Sequence, residues 1–209
     1  MNLIIFGATG MVGKQLVKQA LYNGHHVKAY SRNVFTEGLP DNENIELVQG
    51  ALFDETQVYK AIKGCDAVLS ALGGAYEGTD KTRSLGMKNI VLQMKKNGVK
   101  RIVAVGGMGV LNADENTLIM EQESFPPEYL AVSEEHKKAF DFLKASALDW
   151  TFVCPPMIME GEATGIFNTL ADYLPAANNF KISSGDLALF MLKELKKREY
   201  VRHRVGISN

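Results

Sequence analysis

Short apolar runs alternate with stretches that have the spacing of amphipathic helices along most of this 209-residue chain. The apolar runs predict strands over residues 3–6, 27–30, 45–49, 67–71, 101–105 and 150–153, with a short last strand around 201–207. The stretches between them predict helices over about 12–22, 55–62, 82–97, 127–145 and 186–197. Strands that alternate with helices are typical of a parallel sheet covered on both faces. We therefore predict an α/β fold with a Rossmann-like, doubly wound parallel sheet of about seven strands.

The chain is predicted to form a single domain over residues 1–209. Its length is sufficient for one core and short for two, and no internal repeat or linker divides it. Gly64 and Gly98 each precede a strand and are expected to end helices. The longest irregular region, 106–125, follows the fifth strand, at the edge where such sheets bind ligands. This region is expected to form either the lid or rim of a site or an ordinary surface loop. The C-terminal region is expected to add a small substrate pocket.

A glycine triplet lies between the first predicted strand and the first helix, where a helix N-terminus presents unpaired N–H groups and a positive dipole end. That arrangement suits a pyrophosphate. The first glycine allows the tight turn, the second lets the diphosphate approach, and the third lets the helix pack on the sheet. The spacing is GxxGxxG rather than GxGxxG, yet the strand and helix around it favour dinucleotide binding over an ordinary turn. The residues expected to bind the cofactor here are Gly7, Thr9, Gly10, Met11, Val12 and Gly13.

The end of the second predicted strand carries Ser31 and Arg32. An NAD site usually has an Asp or Glu about 20 residues beyond the glycines, but no acid stands in this region. A guanidinium grips the 2′-phosphate of NADP with paired, charge-assisted hydrogen bonds, and the Ser31 hydroxyl is placed to join it. We therefore predict NADP (NADPH) as the cofactor, with an ordinary solvated arginine as the alternative.

Small residues follow the third, fourth and fifth predicted strands. They let a flat ring system lie against the backbone, although glycines mark turns in most proteins. Their recurrence at successive strand ends favours a position beside the cofactor. The residues expected to line the crevice are Ala51, Leu52, Ala71, Leu72, Gly73, Gly106 and Gly107.

The composition is that of an ordinary globular protein, with 46% hydrophobic and 22% charged residues. A net charge of −1 gives no general attraction to nucleic acid or to anionic membranes, and the basic stretch 193–204 lacks interleaved aromatic residues. Two cysteines, Cys65 and Cys154, make no disulfide framework and indicate free thiols in a reducing compartment. The first strand starts at residue 2, and no apolar run has the length of a membrane span. We expect a cytoplasmic monomer or weak homodimer without a metal site.

These motifs, with the segments 65–68 and 146–153, resemble the atypical short-chain dehydrogenase/reductases of the NAD(P)H-binding, NmrA-like family over nearly the whole chain. Within that family, residues 134–138, 154–158, 164–165 and 186–192 are similar to the flavin and biliverdin reductases that use NADPH. The resemblance places His136 facing the substrate pocket, where it is the candidate proton donor. It also implies that Cys154, Pro155, Pro156 and Met157 line the cofactor site.

The chain departs from the short-chain dehydrogenase pattern at the groups that supply protons. The Tyr-x-x-x-Lys pair is missing from the helix after the fifth strand, and Tyr59 with Lys63 is a coincidental match on an earlier helix. In the resemblance, Gly107 replaces a serine and Met157 a histidine. Reducing a flavin spreads charge over its ring, so stacking and exclusion of water are expected to matter more than a proton donor.

The sequence therefore favours an NADPH-dependent reductase that transfers hydride to a planar acceptor, namely a flavin, a quinone or a similar conjugated molecule. Met108, Met157 and Met159 are candidates for an apolar wall around it, although methionine at such positions is often core. The alternative is a non-catalytic, NADP-sensing regulator of the NmrA type that passes its occupancy to a protein partner. A nucleotide-sugar epimerase is a third reading, against which the missing tyrosine pair counts.

Overall fold

A computed structural model describes residues 1–35, 38–176 and 179–209 as an eight-stranded sheet with helices on both faces. The strands are β1 (Asn2–Phe6), β2 (His26–Ser31), β3 (Ile45–Gln49), β4 (Ala67–Ser70), β5 (Arg101–Val105), β6 (Asp149–Cys154), β7 (Met157–Met159), β8 (Asn168–Ala171), β9 (Lys181–Ser183) and β10 (His203–Ser208). The helices are α1 (Met11–Tyr22), α2 (Glu55–Ile62), α3 (Thr82–Asn97), α4 (Leu130–Lys144) and α5 (Ser184–Lys197).

The sheet has the order β3-β2-β1-β4-β5-β6-β10-β8, which is the Rossmann order with the switch in direction beside β1. All pairs are parallel except β10 with β8, which are antiparallel. The predicted fold class is confirmed, but the sheet has one more strand than expected and an antiparallel edge. β7 and β9, which were also not predicted, pair in parallel as a separate two-stranded sheet.

Alternating side chains of the sheet pack into two hydrophobic cores. Leu3 and Ile5 of β1 join the core formed with α1 and α5, while Ile4 and Phe6 join the core formed with α2, α3 and α4. Because both faces of the central strands are covered, their sequences are continuous apolar runs. This explains why those strands were visible in the sequence.

The long region after β5 contains only short 3₁₀ turns, at Met108–Val110 and Ile119–Glu121. The predicted helix over 127–145 begins with a 3₁₀ turn at Pro127–Tyr129 and continues as α4 from Leu130. Proline suits the first turn because its missing N–H would have no intrahelical acceptor. Within the described ranges, no helix combines the length and apolarity needed to cross a membrane.

A buried ion pair joins the start of β5 to the end of α5. The Arg101 guanidinium donates to Glu194 Oε1 at 3.0 Å and to the Glu194 carbonyl at 2.9 Å. The same carboxylate accepts from Thr151 Oγ1 and from the Tyr200 amide. Burial lowers the pKa of Arg101, and the Glu194 charge opposes that effect. The network therefore ties the start of β5 to the end of α5, at the end of the sheet opposite the predicted cofactor site.

Candidate functional site

The loop between β1 and α1 needs glycine at its first and last glycine positions. Gly7 has φ +77°, and its amide donates to the Tyr30 carbonyl at 3.1 Å. A Cβ on Gly7 would overlap the Ala71 carbonyl oxygen, and one on Gly13 would overlap the Gly7 carbonyl oxygen. These approaches hold α1 tightly against the ends of β1 and β4, as the triplet predicts.

Gly10 differs from Gly7 and Gly13, the other two glycines of the loop, because the space around it is open. A Cβ there would meet only the Gly7 carbonyl oxygen, at 3.4 Å. Gly10 is the N-cap of α1, has no side chain to cap the helix, and is followed by no acidic residue in the first turn. The first amides of the helix are therefore left for an external acceptor. An exposed, uncapped helix start with an open glycine fits the pyrophosphate of a dinucleotide.

The end of β2 lies directly beside this loop. Thr9 Oγ1 and Ser31 Oγ are 2.9 Å apart and hydrogen-bonded. Arg32 is exposed, and its carbonyl accepts from Gln49 Nε2 at 3.0 Å. The backbone at Arg32 is thus held by the end of β3, its side chain is exposed, and Ser31, the preceding residue, contacts the glycine loop.

The residues after β3 support the site from behind. Tyr30 Oη donates to the Ala51 carbonyl at 3.0 Å, and burial, followed by the Asp54 charge, raises the pKa of Tyr30 to about 12. Leu52 is buried, its side chain packs against Gly86, and its carbonyl accepts from Asn89 Nδ2. Ala51 remains exposed at the edge, whereas the Leu52 side chain belongs to the core.

A buried arginine shapes the loop that follows β4. Arg83, on the first turn of α3, donates to the carbonyls of Gly74 and Ala75 at 2.9 and 3.0 Å. Asp80 accepts from the amides of Ala75 and Thr82. Arg83 is 7% exposed, and its Nε has no described partner. Side chains that sequence reasoning missed therefore hold this loop at Gly74 and Ala75, directly after Ala71, Leu72 and Gly73.

His136 on α4 faces Gly107, which directly follows β5. A Cβ on Gly107 would lie 2.8 Å from His136 Cδ2 and 3.2 Å from Nε2, so the imidazole occupies space that a serine at 107 would need. Burial, followed by the Arg83 charge, lowers the pKa of His136 to about 3. The side chain is partly exposed, but its Nδ1 is buried without a described partner. The ring is therefore neutral at neutral pH.

Glu135, the neighbour of His136, is buried in a polar cluster that joins α4 to α3. Its carboxylate accepts from Ser84 Oγ, from Lys81 Nζ at 3.0 Å and from Lys138 Nζ at 2.9 Å. Burial alone would raise the pKa of Glu135, but these hydrogen bonds hold the pKa below its ordinary value. The cluster fixes the turn of α4 that carries His136.

The end of β6 brings the last predicted cofactor residues to the same edge. Cys154 is fully buried, its thiol contacts the Phe152 carbonyl, and burial raises its pKa. The Pro155 carbonyl accepts from the Met108 amide, which ties this strand end to the segment after β5. Met157 and Met159 lie on β7 and are 59% and 47% exposed, so neither is core. Neither the thiol nor the backbone of Cys154 is exposed, so this residue supports the crevice from behind rather than lining it.

Asp186 on α5 anchors the segment that closes the C-terminal side. It accepts from the Thr164 and Gly165 amides at 2.8 and 2.7 Å and from Ser183 Oγ at 3.0 Å. Burial would raise the pKa of Asp186, but these donors lower it. A cavity of about 330 Å³ lies between this segment and the glycine loop, with Thr9, Met11, Glu160 and Ser184 in its wall.

The structure brings the predicted site residues to one edge, at the carboxyl ends of adjacent strands. The residues that sequence reasoning missed are Asp80, Arg83, Glu135 and Asp186. Two of them carried a signal: Asp80 precedes a helix start, and Ser183 with Asp186 has the spacing of a capping box. Tyr59 lies on α2 and Lys63 is the C-cap of that helix. The pair is thus on the helix before β4, as predicted when it was interpreted as a coincidental match.

The fold and the glycine loop define a Rossmann-fold NAD(P)-binding protein. The family model described as NAD(P)H-binding matches residues 7–198, and the chain belongs to this family. The predicted resemblance to the NmrA-like, atypical short-chain dehydrogenases is thereby confirmed, and the class of the protein is that of NAD(P)-binding oxidoreductases.

Similar proteins span the whole chain. YwnB of Bacillus subtilis (strain 168), an uncharacterized protein, is 29% identical over 99% of this chain and 98% of its own length. A Burkholderia pseudomallei structure, described as a "putative exported protein", is 33% identical, with a TM-score of 0.86 and full coverage of both chains. A Streptococcus pneumoniae TIGR4 structure, described as a "putative NADH-flavin reductase", is 27% identical, with a TM-score of 0.86, and covers 100% of this chain and 99% of its own.

Proposed function

We propose that this protein is an NADPH-dependent reductase that transfers hydride to a flavin, a quinone or a similar conjugated acceptor. The observation that carries the proposal is the open, uncapped start of α1 at Gly10, set at the switch point of a Rossmann sheet. The description of the Streptococcus pneumoniae relative as a flavin reductase supports the acceptor class. NADPH, when bound, supplies the hydride.

Arg32 and Ser31 support NADPH over NADH. The exposed guanidinium follows β2 beside Thr9, and the hydroxyls of Thr9 and Ser31 are hydrogen-bonded to each other. A 2′-phosphate would receive donors from Arg32 and from these hydroxyls, whereas an unphosphorylated ribose would leave the guanidinium unused. The residues present therefore fit the phosphorylated cofactor.

The proposed class of acceptor follows from the protonation state of His136. Its imidazole is neutral, so it holds one N–H to donate and carries no charge of its own. An isolated ketone needs a proton for its developing alkoxide, but a flavin spreads the charge over its ring. Met157 and Met159 give an exposed apolar surface near the same edge. The neutral His136 carries no positive charge to offer an alkoxide, so a conjugated acceptor, which needs less acid catalysis than a ketone, suits this site better.

The alternative is a non-catalytic NADP sensor of the NmrA type. It is favoured by one observation, that Gly107 offers no hydroxyl and His136 fills the space a serine would use. The free, buried thiols of Cys65 and Cys154 suit the proposed cytoplasmic location. A monomer or weak homodimer remains the proposed assembly.

Stopped-flow oxidation of NADPH against FMN, FAD, quinones and biliverdin tests the proposal. Turnover with at least one acceptor supports a reductase, and tight NADPH binding without any turnover supports the sensor. His136→Ala should change the flavin rate by less than about tenfold, because a true general acid contributes about 10² to 10⁴-fold. His26→Ala, at the exposed start of β2, is the matched control. A thousandfold loss in His136→Ala with intact NADPH affinity would identify His136 as the proton donor.

A further inference from the structure

A second cavity, of about 370 Å³, lies at the edge of the sheet opposite the cofactor crevice. Its wall includes Trp150 at the start of β6, Arg202 and Arg204 at the start of β10, and Lys144 at the end of α4. β6 and β10 are parallel to β5, so these residues mark the amino ends of strands whose carboxyl ends form the crevice. The volume is within the range of small-molecule sites.

The charges around this cavity leave it positive. Among the described residues, the carboxylate in its wall is that of Asp172, which lies 2.6 Å from His203 Nδ1 and 3.5 Å from Arg204 Nε. Among the described residues, no ion pair involves Lys144 or Arg202. Asp149 also lies close enough for the Arg202 charge to lower its pKa, but its ion pair is with Arg198 Nη2, at 2.8 Å. Lys144, Arg202 and Arg204 thus outnumber the carboxylates Asp172 and Asp149 around the cavity.

Two aromatic rings, Phe140 and Trp150, share the wall with the charged residues and with Asn112 and Ser146. Phe140 packs edge-on against Trp150, with ring centroids 5.6 Å apart. The Arg204 guanidinium lies 5.0 Å from the centroid of Phe140, and its Nη2 donates to Asn112 Oδ1 at 2.8 Å, which holds it in place. Lys144 Nζ lies 5.9 Å from the same ring. Flat apolar surface and positive charge thus meet in one cavity.

The backbone at this cavity is held in an unusual conformation. Asp172 and Arg202 have φ of +61° and +64°, in the left-handed region that L residues adopt at a cost. The Arg202 amide donates to the Trp150 carbonyl at 2.6 Å, and the Asp172 amide donates to the Arg204 carbonyl at 2.8 Å. These bonds fix both turns, next to the Arg202 and Arg204 side chains that line the cavity.

We propose that this cavity binds a small organic anion that carries a planar ring, at a site separate from the dinucleotide crevice. The anion pairs with Lys144 and Arg202, and its ring contacts Phe140 and Trp150. Cations on aromatic walls bind anionic rings through charge-assisted hydrogen bonds and through stacking. The inference is independent of the proposed reductase activity, because no cofactor residue lies in this wall.

Trp150 is the only tryptophan in the chain, so its fluorescence reports this cavity alone. The probe is phenyl phosphate, with inorganic phosphate and phenol as its separate halves. We expect a saturable change in Trp150 emission with phenyl phosphate, and binding at least fivefold weaker for either half. The dissociation constant should be unchanged with saturating NADP⁺ present, since that cofactor occupies the other edge.

Lys144→Gln and Arg202→Gln should each weaken phenyl phosphate about five- to tenfold. Lys95→Gln is the control, because Lys95 is an exposed lysine in the last turn of α3, as Lys144 is in the last turn of α4. Circular dichroism of each variant checks that it is folded, and Lys144→Gln, on a helix surface, keeps the test valid where Arg202→Gln unfolds. The proposal is overturned by no saturable signal at tens of millimolar probe, by equal affinity in all variants, by equal affinity for inorganic phosphate, or by competition with NADP⁺.

Discussion

Replacing Arg32 by alanine should reduce the preference for NADPH over NADH and leave the fold intact. The Arg32 side chain is exposed, and its backbone carbonyl is held by Gln49 Nε2, so truncation leaves the turn after β2 in place. The Thr9 and Ser31 hydroxyls also keep their mutual hydrogen bond. The substitution therefore removes only the cation beside the glycine loop.

The expected magnitude comes from the exposure of the side chain. A hydrogen bond to a charged group contributes about 1.5 to 3 kcal/mol when well formed. Solvent and salt screen an exposed guanidinium, so the lower part of this range applies. A loss of about 1.5 to 2 kcal/mol corresponds to NADPH binding about ten- to thirtyfold weaker. NADH lacks the 2′-phosphate, and its affinity should change by less than about twofold.

Calorimetric titration of both cofactors into Arg32→Ala and the parent protein measures this difference. Lys95→Ala, at the far end of α3, removes an exposed cation elsewhere and should alter neither affinity. Raising the salt concentration should shrink the NADPH preference of the parent protein and leave the variant unaffected. Equal losses for NADH and NADPH in Arg32→Ala would refute the assignment of the phosphate to Arg32.

Three further outcomes are expected. Glu194→Ala should lower the free energy of unfolding in urea by about 3 to 5 kcal/mol, because it leaves Arg101 buried without an anion; a loss below about 1 kcal/mol would contradict this. Arg83→Met should weaken NADPH binding, because it releases the Gly74 carbonyl, and this loss of binding free energy should exceed the loss of unfolding free energy seen in thermal melting. Arg83→Lys should restore part of the affinity. Because the folded pKa of His136 is about 3, against 6.5 in the unfolded chain, its burial should cost stability progressively as pH falls from 6.5 towards 3. Unfolding titrations should show a shallower slope over that window in His136→Phe.

Elements with strong local signals were predictable from the sequence. The predicted bounds of β3, β5, α2 and α3 agree with the structure, because continuous or periodic apolar patterns meet clear stops. Asp54 caps α2 by accepting from the Gln57 amide, and Gly98 ends α3 in the left-handed conformation. Local chemistry fixes such boundaries.

Short strands that depend on distant partners were not predictable. β7 and β9 have three residues each, too few to show a period of two, and each is defined by pairing with the other across more than twenty residues. β8 has four residues and pairs antiparallel with β10 at the open edge, so it is only half covered and carries no apolar run. The parallel sheet was therefore predicted one strand short.

The same limit applies to the site. The glycine loop and the strand ends follow from local sequence, but Glu135 reads as a solvated helical acid until Ser84 and Lys81, more than fifty residues away, are placed against it. The role of Arg83 likewise depends on how the loop after β4 folds back. Gly107 was noted as a missing hydroxyl, and only the packing shows that His136 takes that space.

The central claim is that the open start of α1 binds the pyrophosphate of a nicotinamide dinucleotide, and Gly10→Val tests it most directly. A Cβ at Gly10 meets no backbone atom closer than 3.4 Å, so the fold should persist, while the valine methyls would fill the space against the helix N-terminus. Gly13→Ala is the contrasting variant, because its Cβ overlaps the Gly7 carbonyl and should lower stability instead. Calorimetry should show NADPH binding by the parent protein and none by a folded Gly10→Val variant. Unchanged NADPH affinity in Gly10→Val would contradict the account.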